Sequence, residues 1–207
     1  MQRTIRNVYC VGRNYRLHAE ELGNAVPEEP MIFMKPSHAL VMMNGQTLAL
    51  PEGRGEIHYE AELVIKIGKE VCPGEVINQV VDSYAFGIDF TLRDVQSKLK
   101  SKGHPWTAAK GFLGSAPISE FKPFEGIDAL MASDFTLNKN DEEVQRGNIQ
   151  DMIFSLQDIV DYVALHYGLG EGDIIFTGTP AGVGPVKSGD MLKLSFAGED
   201  IGSITIK

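Results

Sequence analysis

The cleanest alternation of apolar and polar positions runs over residues 57–67. Odd positions carry Ile57, Tyr59, Ala61, Leu63, Ile65 and Ile67, and even positions carry His58, Glu60, Glu62, Val64 and Lys66. Successive side chains leave a strand on opposite faces, so this pattern predicts one half-buried β-strand. Before it, the sequence predicts a strand over 5–11, a helix over 15–22 stopped at Gly23-Asn24, and a buried-type strand over 31–34 closed by Lys35-Pro36. Asn44-Gly45 between apolar segments predicts a two-residue hairpin. After it come a short helix over 73–81, a strand over 84–90 and a helix over 93–102, broken by residues 103–106. Segments 130–137 and 143–145, joined around Asn140-Asp141, predict a second hairpin. Ser155 with Asp158 three later opens a capped helix, whose apolar positions Ile159, Val160, Val163, Ala164 and Tyr167 keep helical spacing as far as Gly168. Strands over 174–177, 191–196 and 201–206 complete the chain.

Many strands, few short helices and no regular β–α alternation define an α+β fold with a mainly β core. No internal repeat or low-complexity linker divides it. The expectation is a single domain over 1–207, with 1–50 at most a short N-terminal subregion.

Composition narrows the function. Apolar residues make up 43% and charged residues 23% of the 207, enough to build a sizeable core. A formal charge of −9 disfavours nucleic acid or an anionic membrane as the main partner. An anionic small molecule then needs a local cation or basic cluster. Cys10 and Cys72 are the only cysteines and form no CxxC, which fits a reducing compartment. Residues 1–7 are too polar for a secretory segment and no apolar run reaches membrane-spanning length, so a soluble, cytoplasmic protein is expected.

Glu60 and Glu62 share one face of the central strand, roughly 6–7 Å apart at the backbone. In a partly dry cleft they would repel unless a cation lay between them, and all-oxygen ligation suits Mg²⁺, Mn²⁺ or Ca²⁺. Taken alone, Glu-x-Glu reads more simply as a solvated strand face. His18 and Glu21 are three apart on a helix and share a face, which by itself is commonly just an exposed pair. Asp89 is the one acid in an apolar strand, Arg93 and Gln96 lie on one side of a helix, and Lys110 stands among small and apolar neighbours. Residues 178–184 form a glycine-rich turn after a strand, without the lysine placement of a phosphate loop or the third glycine of a dinucleotide site. Serine-hydrolase and zincin signatures are absent from the sequence.

In order, Glu60-x-Glu62, Asp89, Arg93-Asp94-Val95-Gln96, Lys110-Gly111-Phe112 and Gly178-Thr179-Pro180-x-Gly182-Val183-Gly184 resemble the fumarylacetoacetate hydrolase family over essentially the whole chain. The opening Cys10-Val11-Gly12-Arg13-Asn14-Tyr15, with His18 and Glu21, and the loop over 102–107 resemble its acylpyruvase and oxaloacetate decarboxylase branch. Ile88 and Leu113 depart from the commoner Asn before the Asp and Asp after the Lys-x-Phe. The resemblance implies a mixed β-sheet roll, a homodimer, and Mg²⁺ or Mn²⁺ held by Glu60, Glu62 and Asp89. It implies metal-dependent cleavage of the C3–C4 bond of a small anionic 2-oxo acid, by hydrolysis of acylpyruvates, decarboxylation of oxaloacetate, or both. His18, oriented by Glu21, would then be the general base, while Lys110 and Gln96 would steady oxyanion charge and position water. Arg13, Lys35, Arg93 and Thr179 would receive the substrate, although Lys35 reads equally as a surface lysine at a strand end. The alternatives are an isomerase or decarboxylase of a 2-oxo diacid in aromatic catabolism, and a non-catalytic metal-binding homologue. His18, Glu21, Gln96 and Lys110 together argue against the last.

Overall fold

The computed structural model describes residues 5–21, 23 and 25–207. Within it the predicted central strand is two strands, Ile57–Tyr59 and Ala61–Ile67, parted at Glu60. The first sits between Gly184–Val186 and Thr91–Leu92 in a three-stranded sheet. The second lies in the middle of an eight-stranded mixed sheet ordered Met31–Lys35, Val8–Gly12, Ile174–Phe176, Ala61–Ile67, Val81–Ile88, Ala116–Ile118 and Leu40–Met42, with Lys122–Pro123 also paired to Val81–Ile88. A five-stranded sheet, Glu142–Gly147, Phe135–Lys139, Met191–Phe196, Glu199–Ile206 and Asn44–Leu48, packs beside it.

Leu63, Ile65, Ile67, Phe86 and Ile88 leave the large sheet on one side. They meet Phe135, Leu137, Leu192, Leu194 and Ile204 of the five-stranded sheet, and Ile159, Val160 and Val163 of helix Leu156–Tyr167. Burying each such side chain contributes roughly 1.5–3 kcal/mol before conformational entropy is charged. Val64, on the opposite face, joins Val8, Cys10, Ala85, Ile174 and Phe176 in a second cluster. The central strand is therefore buried on both faces, not half-buried as its alternation predicts. The large sheet curls until its edge strand Met31–Lys35 reaches helix Thr107–Lys110, where the rings of Phe33 and Trp106 lie 5.7 Å apart. This is the mainly β, mixed-sheet roll that the sequence leads one to expect.

Other expectations shift for physical reasons. Strand Met31–Lys35 is an edge strand, so Met34 is 45% exposed and Lys35 is its buried member. Asn44-Gly45 makes no hairpin: Leu40–Met42 and Asn44–Leu48 belong to different sheets with Met43 between them, and Gly45, at φ 85°, lies inside the second strand where its register against Glu199–Ile206 shifts. The helix predicted over 73–81 shrinks to Ile77–Val80, because Gly74 at φ 88° sits in a turn before it and Val81 already starts a strand, and Leu130 falls in the short helix Ile127–Met131. The expected end of the first helix at Leu22 and its stop at Asn24 lie outside the described residues; the helix is described over Arg16–Glu21. The second hairpin turns through Asn140 and Asp141 at φ 52° and 67°, the left-handed pair that a tight hairpin needs. Ser155 and Asp158 form a reciprocal capping box, as the sequence predicts. No described helix is long and apolar enough to cross a membrane.

Candidate active site and metal centre

Sheet register assembles the site. In the antiparallel ladder Ala61 faces Ile88 and Glu62 faces Gly87, which sets Asp89 across from Glu60; the Asp89 amide donates to the Glu60 carbonyl at 2.8 Å. Glu60 and Glu62, two residues apart, turn to the same side as Asp89. One carboxylate oxygen of each lies within 4.8 Å of the others. The three residues are 5%, 2% and 0% exposed, which rules out a solvated strand face.

Three like charges out of water need compensation. Lys110, at the end of helix Thr107–Lys110, places its ammonium 2.7 Å from Glu60 Oε2 and 2.6 Å from Asp89 Oδ2. Arg93 Nη2 donates to Glu60 Oε1 at 2.6 Å, and its Nη1 donates to Gln96 Oε1 at 2.9 Å. Burial pushes the Glu60 carboxyl up, but the Lys110 ammonium and the Arg93 guanidinium outweigh it and hold Glu60 well below the usual carboxylate range. Burial likewise lowers Lys110, and Asp89 and Glu60 more than reverse this, so the ammonium stays charged. Glu62 is different. Burial first, then Asp89 and Glu60, push its carboxyl well above the ordinary value. Among the described residues its one hydrogen-bond donor is the Gly178 amide, at 2.8 Å, and no cation pairs with it. That imbalance, together with an all-oxygen donor set, fits a hard divalent cation between the three carboxylates.

Gly178 is required where it stands. Its φ is 100°, and a Cβ there would meet Asn14 Cβ at 2.6 Å. Asn14 is fully buried and bonds to Phe154 O, Thr177 O and the Phe154 amide at 3.1, 2.9 and 2.8 Å. These bonds hold the turn in which Arg13, a non-glycine at φ 57°, enters the cleft.

His18 comes from helix Arg16–Glu21 and is 5% exposed. Its Nδ1 lies 3.5 Å from Glu21 Oε2, a neighbouring charge without hydrogen-bond geometry. Both Glu21 oxygens accept from the Gly182 amide at 3.2 Å, which pins the helix to the glycine-rich turn. Burial lowers His18 below the usual 6.5, and Glu60 and Glu21 only partly offset this. The imidazole is therefore neutral, and able to accept a proton, at neutral pH.

A cleft of about 430 Å³, open solvent included, is lined by Arg13, His18, Glu60, Glu62, Asp89, Arg93, Gln96, Lys110 and Thr179 among others. Of the residues singled out in the sequence, Glu21 and Lys35 do not line it. Glu21 stands behind His18. Lys35 lies behind Asp89 and does not reach the cleft. Its ammonium is 2.7 Å from Asp89 Oδ1, an ion pair without a directed hydrogen bond, and it donates to Phe90 O, Ser115 O, Ser115 Oγ and Lys110 O. Lys35→Met leaves part of the buried Asp89 charge unpaired and Phe90 O without its donor, while Ser115 O keeps the Phe90 amide and Lys110 O keeps Ser115 Oγ, and lowers stability by about 3–5 kcal/mol. An unchanged urea midpoint would refute that role.

Phe33, Lys100 and Trp106 also line the cleft and were not among the residues singled out. Lys100 completes an i, i+3, i+7 stripe with Arg93 and Gln96 on helix Arg93–Ser101, so helical spacing alone identifies it. Arg13 and Arg93 lower its ammonium further after burial does, a sign that the three cations crowd one rim. Phe33 and Trp106 meet only because the sheet curls, and no local spacing signals them. Gln145 is a fourth omission, set just outside the cleft and bonded to Ala61, Thr179 and Pro180.

Fold and site together define a mainly β roll built around a buried cluster of three carboxylates with His18 and Lys110 beside it. The chain matches the Fumarylacetoacetate (FAA) hydrolase C-terminal family over residues 7–207 and belongs to that family. It is 40% identical over 200 residues to oxaloacetate tautomerase YcgM of Escherichia coli, covering 95% of this chain and 91% of the relative. It is 38% identical to a mitochondrial oxaloacetate decarboxylase of Dictyostelium discoideum, over 95% of this chain and 91% of that protein. Among solved structures, a fumarylpyruvate hydrolase from Pseudomonas aeruginosa in complex with Mn²⁺ and pyruvate superposes with a TM-score of 0.92. That pair shares 37% identity over 99% of this chain and 90% of the other. The relatives are enzymes.

Proposed function

We propose that this chain is a divalent-metal-dependent enzyme of small 2-oxo acids, with oxaloacetate as the leading substrate, working through an enolate of substrate or product. The observation that carries this reading is the meeting, in one cleft, of the buried Glu60–Glu62–Asp89 cluster, a neutral His18 and a cationic Lys110. Held by those carboxylates, Mg²⁺ or Mn²⁺ would supply Lewis acidity toward the 2-oxo oxygen and the C1 carboxylate. Lys110 and the Gln96 amide nitrogen, whose oxygen Arg93 already occupies, offset negative charge developing on substrate oxygen. Arg13, Arg93 and Lys100 give the rim a positive field suited to a second carboxylate. His18 moves the proton: from water when an acylpyruvate is hydrolysed, or from C3 when keto and enol forms interchange. Loss of CO₂ from oxaloacetate needs no activated water and makes little demand on it. Relatives named for oxaloacetate favour that diacid, and tautomerisation, by losing a C3 proton, and C3–C4 cleavage, by losing C4, both put enolate charge on the same 2-oxo oxygen.

Oxaloacetate tautomerisation, oxaloacetate decarboxylation and acetylpyruvate hydrolysis, run side by side with Mg²⁺ and with EDTA, test the reading. At least one rate is expected to be high and metal-dependent; full activity in EDTA, or none on any substrate, sinks it. The reactions that use His18 also carry an acid limb. Because burial depresses this group, activity is retained as pH falls past 6.5 and lost only as pH drops through the lower value. An acid limb in kcat/KM for acetylpyruvate lying above 6.5 contradicts that assignment.

A further inference from the structure

We infer that Gln145, a residue outside the cleft, fixes the Thr179 hydroxyl as a hydrogen-bond donor into it, so that this end of the site selects an acceptor such as a carboxylate or enolate oxygen; the inference rests on the function proposed above. Gln145 lies in strand Glu142–Gly147 and is 2% exposed. Its Oε1 accepts from the Ala61 amide at 2.9 Å, and its Nε2 donates to Pro180 O at 3.0 Å. A backbone N–H can only donate and a carbonyl can only accept, so the two ends of this amide cannot be exchanged. The second Nε2 proton is thereby directed to Thr179 Oγ1, 2.9 Å away.

A threonine hydroxyl has one proton and two lone pairs. One lone pair of Thr179 is engaged by Gln145, and among the described residues no acceptor takes its proton. The side chain is 3% exposed and lines the cleft, so that proton is left for a ligand. A hydroxyl that accepts one hydrogen bond is also polarised to give another. Gln145 holds Ala61 as well, the residue between Glu60 and Glu62 at the point where the chain changes sheets. One side-chain amide thus ties the strand of the acidic cluster to the donor on the glycine-rich turn. Gln145 is a positioning residue: it acts through Thr179.

The test is a double-mutant cycle read by calorimetric titration of oxalate in the presence of Mg²⁺, with oxaloacetate kinetics alongside. Gln145→Glu puts an acceptor where the donor was and turns the hydroxyl proton away from the cleft. Oxalate affinity is expected to fall roughly ten- to hundred-fold, with KM rising and kcat changing less. Thr179→Val loses the same amount, Thr179→Ser keeps wild-type affinity, and the double variant is no worse than either single one. If Gln145→Glu fails to fold, Gln145→Met frees the hydroxyl to rotate and gives a smaller loss that also vanishes in the Thr179→Val background. Additive losses, wild-type oxalate affinity in Gln145→Glu, or a fall in Mg²⁺ affinity that accounts for the whole effect overturns the inference. So does a wild type that binds no oxalate. A wild type that binds oxalate but turns over none of the three substrates defeats the proposed activity instead, and leaves the cycle readable.

Discussion

Glu62→Gln is expected to abolish metal-dependent turnover while making the metal-free protein more stable. Glu62 is the carboxylate whose charge costs most: burial, Asp89 and Glu60 all push it toward the protonated form, and no described cation pairs with it. Glutamine has nearly the same shape and its carbonyl oxygen can keep the Gly178 hydrogen bond, so packing survives and the repulsion goes. A hard divalent cation, in contrast, loses one of its three anionic oxygens. Mg²⁺ affinity should drop by more than about 100-fold, beyond what removing a mere outer partner costs. Calorimetric Mg²⁺ titration and thermal melting in EDTA check both halves. A variant that keeps turnover, or melts earlier than wild type without metal, places the cation elsewhere.

His18→Ala should split the reactions that share the site. Acetylpyruvate hydrolysis is expected to fall by roughly 10²–10⁴-fold, the usual worth of a positioned base, while decarboxylation of oxaloacetate falls much less. Tautomerisation moves a proton at C3 and should follow hydrolysis. Rates must be compared at equal metal loading, since a general loss of Mg²⁺ lowers all three together. Equal losses in hydrolysis and decarboxylation would mean that His18 closes the cleft or holds the substrate. Its 5% exposure, with Nδ1 against Glu21, makes that outcome physically reasonable and the comparison decisive.

Much of this site was legible in the chain because it rests on short-range geometry. Two residues along a strand return to the same face, so Glu60 and Glu62 converge whatever surrounds them. Arg93 and Gln96 share a helix face and do bond to each other. What alternation cannot report is what lies over a face. Polar positions look alike whether they meet water or a sheet that curls back over them, so burial on both sides of Ala61–Ile67 was hidden. The same blindness affected Lys35, for which local sequence offers a substrate contact and a surface lysine equally and which the roll folds behind Asp89. Asn44-Gly45 supplies a left-handed residue, but whether it turns a hairpin or bulges within one strand depends on partners at Ala116–Ile118 and Glu199–Ile206. Gln145 belongs to the same class, since its meaning lies in Ala61, 84 residues earlier, and Thr179, 34 later.

The pairing of Glu60 with Asp89 also decides where this protein can change length. Strand Ala61–Ile67 runs away from the acidic cluster, the chain turns at the far end, and strand Val81–Ile88 runs back to it. Residues inserted or removed in that distant connection leave the count from Glu60 to Asp89 across the ladder unchanged. A one-residue slip within Ala61–Ile67 exchanges the two faces and would offer Leu63 to the cation in place of Glu62. Variation in chain length is therefore expected to collect at one end of this strand pair and to be absent from the other, as deletion scanning scored by Mg²⁺ binding would reveal.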